Sequence, residues 1–166
     1  MRLYFLRHAL AYSRSEWDGP DSARPLSEDG LRTAADVAEA IAMMDLGLSA
    51  ILSSPFERAL RTAVIVRDRL PDPPPLVEEP GLEPSAFSLS SLLKMLAPCG
   101  DDAAVMIVGH EPSMTGVLEA LVGGGRYVLK KGGLLRVDVD THEPTRAILK
   151  WFVPPRLLGS RPTDAT

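Results

Sequence analysis

The chain has 166 residues, a formal net charge of −4 and 45% hydrophobic residues, the size of one ordinary domain with enough apolar content for a real core. The acidic balance argues against a general nucleic-acid binder, which needs a basic surface. The lone cysteine, Cys99, excludes an intrachain disulfide and a thiol-pair metal or redox site. Fourteen arginines stand against four lysines. Arginine supplies a planar fork suited to phosphate, although GC-rich genomes also favour it and that plainer reading weighs more.

Leu3 to Leu6 is short, apolar and aromatic, and reads as a buried strand. The apolar run near the start is only about five residues, too short for the core of a secretion signal. No stretch reaches the length of a membrane span. A soluble cytoplasmic protein without a membrane partner is expected. Residues 9–24 are polar, carry Gly19 and Pro20, and read as a loop. Ser27 then caps a helix whose apolar positions are Leu31, Ala34, Ala35, Ala38 and Ile41, closed by Asp45-Leu46-Gly47. Ser49 to Ser53 is a second strand. Ser54-Pro55 opens a second helix, with proline at the first helical position and Ala59, Ala63, Val66 and Leu70 as its stripe.

Residues 71–84 are too rich in proline for a long helix, and Leu76-Val77 form a short strand within them. Leu89, Leu92, Leu93 and Leu96 mark a third helix. Ala103 to Val108 is the clearest buried strand, and His110-Glu111-Pro112 leads into a helix with Met114, Val117, Leu118 and Leu121 inward, stopped by Gly123-Gly124-Gly125. Leu134 to Val139 and Ala147 to Val153 alternate as a late pair of strands, one at an edge. Pro154-Pro155 ends the structure. One domain over 1–155 is expected, followed by a C-terminal tail over 156–166 whose last residues, 160–166, are mobile. The order β-α-β-α-β-α-β-α-β-β predicts an α/β fold: a three-layer α/β/α sandwich around a mainly parallel sheet.

Three strands end beside chemistry-bearing residues. Arg7-His8 follows the first, Ser54-Pro55 with Arg58 the second, and Gly109-His110 the fourth. In open α/β sheets such ends converge on one crevice. A lone histidine is more often structural, but His8 directly follows a fixed cation. A nucleophilic imidazole attacking a phosphoryl group needs that neighbour, because the incoming charge must be neutralised. Arg7 also lowers the imidazole pKa. Arg58, in the first turn of its helix, offers a bidentate clamp; the plainer reading is a surface salt bridge with Glu57 or another acid. Gly109 permits close backbone approach, and His110 can donate to a phosphoryl oxygen or, protonated, add charge. Arg61 reads as solvated, and His142 as a surface residue in the turn 140–144. The three histidines lack zinc spacing, and two arginines beside the site repel a cation, so no metal and no cofactor is expected.

Leu6-Arg7-His8-Ala9, Arg24-Pro25-Leu26-Ser27-Glu28-Asp29-Gly30, Ser53-Ser54-Pro55 with Arg58 and Thr62, and Val108-Gly109-His110-Glu111-Pro112 together resemble the histidine phosphatase superfamily. The compact length and the Leu129-Lys130-Lys131-Gly132-Gly133 segment resemble its SixA-type phosphohistidine phosphatase branch. The resemblance implies a phosphoglycerate mutase-like fold without a cap domain. It implies that His8 is the nucleophile, that Arg7, Arg58 and His110 complete the phosphate pocket, and that Glu83 protonates the leaving group, with Glu79 behind it. Ala9 stands where the family usually has glycine, a change the backbone tolerates provided φ stays negative.

The implied activity is removal of phosphate from phosphohistidine on a partner protein through a phosphohistidine enzyme intermediate. Two alternatives stand beside it: hydrolysis or transfer on small phosphoesters or polyphosphate, and a phosphate-binding regulatory module without turnover. The partners implied are a phosphorylated protein or small phosphorylated molecule, and phosphate or another oxyanion in the site. Lys130 and Lys131 read as a solvated loop more readily than as an attractor for an acidic partner.

Overall fold

The computed structural model describes residues 1–140, 142–143 and 146–159. The expected mobile end, 160–166, lies outside the described residues, as do positions 141, 144 and 145 of the loop around His142. The elements are β1 (Arg2–Arg7), α1 (Glu28–Met43), β2 (Ala50–Ser53), α2 (Glu57–Arg69), β3 (Leu76–Glu78), α3 (Leu89–Leu96), β4 (Ala104–Gly109), α4 (Ser113–Val122), β5 (Leu134–Asp138) and β6 (Ile148–Val153). They follow the order read from the sequence.

The strands form one mixed sheet in the order β3-β2-β4-β1-β5-β6. The first four run parallel, whereas β5 is antiparallel to β1 and β6 to β5. Alternate residues of the central strands serve opposite faces. Leu3, Phe5, Val105 and Ile107 pack with Leu92 and Leu96 of α3 and Val117, Leu118 and Leu121 of α4. Tyr4, Leu6, Met106 and Val108 pack with Val37 and Ile41 of α1 and Ala59, Ala63 and Val66 of α2. Burial on both faces is why β1 and β4 read as continuous apolar runs instead of alternating ones. The result is the expected α/β/α sandwich.

Several local expectations are corrected. The buried face of α1 is Gly30, Ala34, Val37, Ala38 and Ile41; Leu31 and Ala35 turn outward. The rotation follows from Gly30. A Cβ at that position would lie 1.8 Å from the Leu10 carbonyl oxygen, so the helix can approach the chain after β1 only through glycine. The same carbonyl accepts from the Ser27 amide at 3.0 Å, and Ser27 Oγ caps the Gly30 amide at 3.1 Å. The start of α1 is thereby docked two residues beyond His8.

Helix α2 begins at Glu57, two residues later than Pro55 would place it. Ser54 is still tied to the sheet through its amide and the Val108 carbonyl, 3.0 Å apart, so the chain turns before the helix can start. Gly123 ends α4 with φ of 81°, as a left-handed helix stop requires. Of the segment expected as a tail, Leu158 is buried against the α1–α2 side of the core. No helix among the described residues is long and apolar enough to cross a membrane.

Gly30→Ala is expected to lower stability by about 1–3 kcal/mol through overpacking against Leu10, although alanine is the better helix former. Chemical denaturation of the two proteins measures the difference.

Candidate active site

Three adjacent parallel strands end level with one another. Arg7 pairs with Gly109, and Ser53 with Val108. The residues that follow are His8, His110 and Ser54. The His8 and His110 rings lie with centroids 5.0 Å apart, and both side chains are buried.

His8 is held at both ends of its backbone. Its amide donates to Gly109 O at 3.1 Å, and its carbonyl accepts from the Gly132 amide at 3.2 Å. Nδ1 lies 2.7 Å from Ala9 O. A carbonyl can only accept, so Nδ1 carries the hydrogen and the neutral ring keeps its lone pair on Nε2. Arg58 Nε faces that atom at 3.4 Å. Burial pushes the His8 pKa well below its ordinary value, and the neighbouring His110, Arg58 and Arg7 push the same way against the Ala9 hydrogen bond. The effect expected of Arg7 is present, but burial outweighs it. Ala9 avoids positive φ, so alanine sits without strain at that position.

Arg58 rises from the first turn of α2 and is 4% exposed. Its Nη1 donates to Asp21 O at 2.8 Å and its Nη2 to Asp21 Oδ2 at 3.2 Å. The salt bridge of the plainer reading is thus present, with Asp21 as the acid instead of Glu57 and with the Arg58 end buried, and the guanidinium also lies over the Phe56 ring at 5.1 Å. Asp21 Oδ1 accepts from Arg24 Nε at 2.9 Å, and Arg14 Nε lies 3.5 Å away. Partial burial alone would raise the Asp21 pKa; the Arg24 hydrogen bond and the three arginine charges override it and hold it low. Thr62, one turn beyond Arg58, ties helix to strand: its hydroxyl donates to Arg58 O at 2.7 Å and accepts from the Ala9 amide at 3.2 Å.

His110 is 2% exposed. Its Nε2 is 2.9 Å from Ser54 Oγ, which already accepts from the Phe56 amide at 3.3 Å. The Ser54 proton is then free for Nε2, and the matching tautomer carries hydrogen on Nδ1. That Nδ1 is buried without a partner among the described residues, the condition of a donor reserved for a ligand. Burial first, then Arg58, lowers the His110 pKa to about 3. The ring is a neutral donor at pH 7 and does not add the charge that the sequence allowed. Gly109 is corrected too: a Cβ there would meet its nearest neighbours at 3.6 Å and beyond, ordinary contact, so no close approach depends on it.

Arg7 Nη1 donates to Leu129 O at 2.8 Å, while its Nε is buried without a partner among the described residues. Glu111 is the carboxylate whose charge acts on Arg7. Burial raises the Glu111 pKa against a 2.6 Å hydrogen bond from Thr115. Thus Arg7, His8, Arg58 and His110 gather in one place. Glu83 stands near it, since the preceding Leu82 carbonyl lies 3.8 Å from a Cβ placed on Gly109. Among the described residues, however, no hydrogen bond or ion pair joins its carboxylate to these four. Arg61 and His142 are exposed. Among the described residues no three histidine, cysteine or carboxylate side chains are grouped as a metal would require.

Asp21, Ser54 and Thr62 are the supports that sequence reasoning missed as such. Ser54 and Thr62 lay inside quoted motifs, but their partners are 56 and 53 residues away. Asp21 is one polar residue in a polar loop, 37 positions from Arg58, and no local signal marks it.

The model of the histidine phosphatase superfamily, branch 1, matches residues 3–88. The chain belongs to the histidine phosphatase superfamily. An uncharacterised protein of Picosynechococcus sp. is 32% identical to it, over 93% of this chain and 100% of that one. Among solved structures, the protein histidine phosphatase SixA complexed with tungstate superposes with a TM-score of 0.84 at 23% identity, covering 95% of this chain and 99% of its own. A candidate phosphohistidine phosphatase SixA from Agrobacterium tumefaciens gives 0.76 at 27% identity, over 93% and 98%. This histidine phosphatase is therefore of SixA type in fold, and its sheet and helices are the phosphoglycerate mutase-like arrangement.

Both site histidines of this histidine phosphatase have folded pKa values below the ordinary 6.5. The folded protein then binds fewer protons than the unfolded chain below that pH, so their neutral burial is fully stabilising above about pH 6.5 and is lost as pH falls. The melting temperature is expected to decline from pH 7 to pH 4, and to decline less steeply in His110→Gln, as differential scanning fluorimetry would record.

Proposed function

We propose that this member of the superfamily is a metal-independent phosphohistidine phosphatase acting on a phosphorylated protein in the cytoplasm. The observation that carries the reading is the state of His8: Nδ1–H is spent on Ala9 O and Nε2 faces Arg58 as an unprotonated lone pair. That is a nucleophile already in its reactive tautomer, beside the cation an incoming phosphoryl group needs. Tungstate, an oxyanion, in the SixA relative supports the same use of the pocket.

In the first step the Nε2 lone pair attacks phosphorus and a P–N bond to His8 forms. The bond to the leaving group breaks, and its electron pair departs with that group, which takes up a proton. In the second step water attacks phosphorus, the His8 P–N bond breaks, and the pair returns to Nε2. Inorganic phosphate leaves, and the spare water proton passes to solvent. Arg7, Arg58 and neutral His110 Nδ1–H hold the non-bridging oxygens throughout, so catalysis is positioning plus electrostatic stabilisation.

The leaving group favours phosphohistidine over an ester. Imidazole is protonated near its own pKa of about 6.5 and departs without a strong acid, whereas an alkoxide needs one. Such a leaving group makes little demand on Glu83, the acid assigned by resemblance.

His8→Ala is expected to lower turnover by at least about 10³-fold, and Arg58→Lys by about 10–100-fold because a point charge cannot replace the fork. Rapid quench of the wild type with a phosphoramidate should trap acid-labile, base-stable phosphate on His8; its absence, or a large preference of kcat/KM for phosphate esters, would refute the assignment. Glu83→Gln should alter kcat for the phosphoramidate by no more than about threefold and should slow ester hydrolysis more. Equal, large losses on both would restore Glu83 as an obligatory acid.

A further inference from the structure

The turn that precedes β5 is clasped onto the strand end that carries the nucleophile. Arg7 donates through Nη1 to Leu129 O at 2.8 Å. The Arg7 amide donates to Gly133 O at 3.1 Å, and the Gly132 amide donates to both Arg7 O at 3.0 Å and His8 O at 3.2 Å. Inside the turn the Gly133 amide donates to Lys130 O at 2.7 Å. Gly132 adopts φ of 75°, and a Cβ there would lie 3.1 Å from Thr33 Cγ2 and 3.5 Å from Pro155 Cβ, so the start of α1 and the chain after β6 stand close behind the turn.

Lys131 is fixed by this clasp. Its carbonyl carbon is bonded to the Gly132 nitrogen that touches His8 O, and a lysine stem spans about 6 Å from its Cα, so its base stands within reach of the nucleophile's strand end. Its ammonium lies in the field of Arg7, Arg24 and Arg58, and burial and these three charges lower its pKa. Among the described residues no carboxylate lies within ion-pair distance of it, while Asp21 is already shared among Arg14, Arg24 and Arg58. Lys130 and Lys131 are both exposed, but only Lys131 is bonded to the Gly132 nitrogen that the clasp holds. A lysine held against three arginines without a protein counter-ion is arranged for an anion from outside.

We propose that Lys131 is a further phosphoryl ligand, closing the oxyanion pocket of Arg7, Arg58 and His110 from the Leu129–Gly133 side. The inference rests on the phosphatase reading and adds to it a residue that binds the transferred group.

Titration calorimetry with inorganic phosphate tests it on the full-length wild type, Lys131→Met, Lys131→Arg and Lys130→Met. Methionine keeps the stem length, and the turn's backbone bonds do not involve the ammonium. Lys131→Met is expected to weaken phosphate binding about tenfold, with Lys130→Met within twofold of wild type and Lys131→Arg recovering most of the affinity. The same ordering is expected for phosphate as a competitive inhibitor of turnover. If wild type binds phosphate and turns over substrate while Lys131→Met binds phosphate equally well, this proposal falls and the phosphatase reading stands. A Lys131→Met defect confined to the KM of a phosphorylated protein, with phosphate affinity unchanged, overturns it in favour of partner recognition. Failure of wild type both to bind phosphate and to turn over any phosphorylated substrate sinks both readings together.

Discussion

The register of β2, β4 and β1 governs this molecule. Arg7 is level with Gly109 and Ser53 with Val108, so three chain segments leave the sheet at one height. Parallel pairing makes this common end possible, and the buried alternation of Leu3, Phe5, Val105 and Ile107 against Tyr4, Leu6, Met106 and Val108 locks it. A slip of one residue would exchange the faces of a whole strand. It would also pull His8 away from His110, since the His8 amide is itself part of the ladder to Gly109. Core packing and pocket geometry are therefore one constraint.

Charge follows from that geometry. Two imidazoles buried side by side among arginines cannot afford protons, and both are held neutral by burial before any neighbour acts. The pocket's positive charge comes from guanidinium groups, which stay protonated where histidine does not. Asp21 keeps Arg58 in place without cancelling the set, because it is outnumbered by Arg14, Arg24 and Arg58. The pocket is thus poised for an anion, with one unprotonated nitrogen among its cations.

The sequence disclosed what is local. Apolar runs, caps and glycine stops marked all ten elements, and residues at strand ends marked Arg7, His8, Arg58 and His110. What it hid depends on distance along the chain. Leu31 looked inward by spacing, but the Leu10 carbonyl takes the space beside Gly30 and rotates α1. Pro55 looked like a helix start, but Ser54 remains bonded to β4. Asp21 reaches Arg58, and Thr62 reaches the Ala9 amide, through contacts that fold back across dozens of residues, and such contacts have no spacing to read. Glu83 was reached by resemblance alone, and among the described residues no hydrogen bond or ion pair ties its carboxylate to the other four.

The reversal of β5 has a consequence for how such a pocket can diversify. A parallel strand beside β1 would contribute its exit to the catalytic rim and would need a long crossover to get there. An antiparallel one contributes its entrance, so residues 129–133 reach the rim on their way into the sheet. The far wall is thus furnished by a short connector rather than by a strand terminus. Recomposing that connector can retune what the mouth accepts while the four pocket residues and both halves of the hydrophobic interior stay as they are.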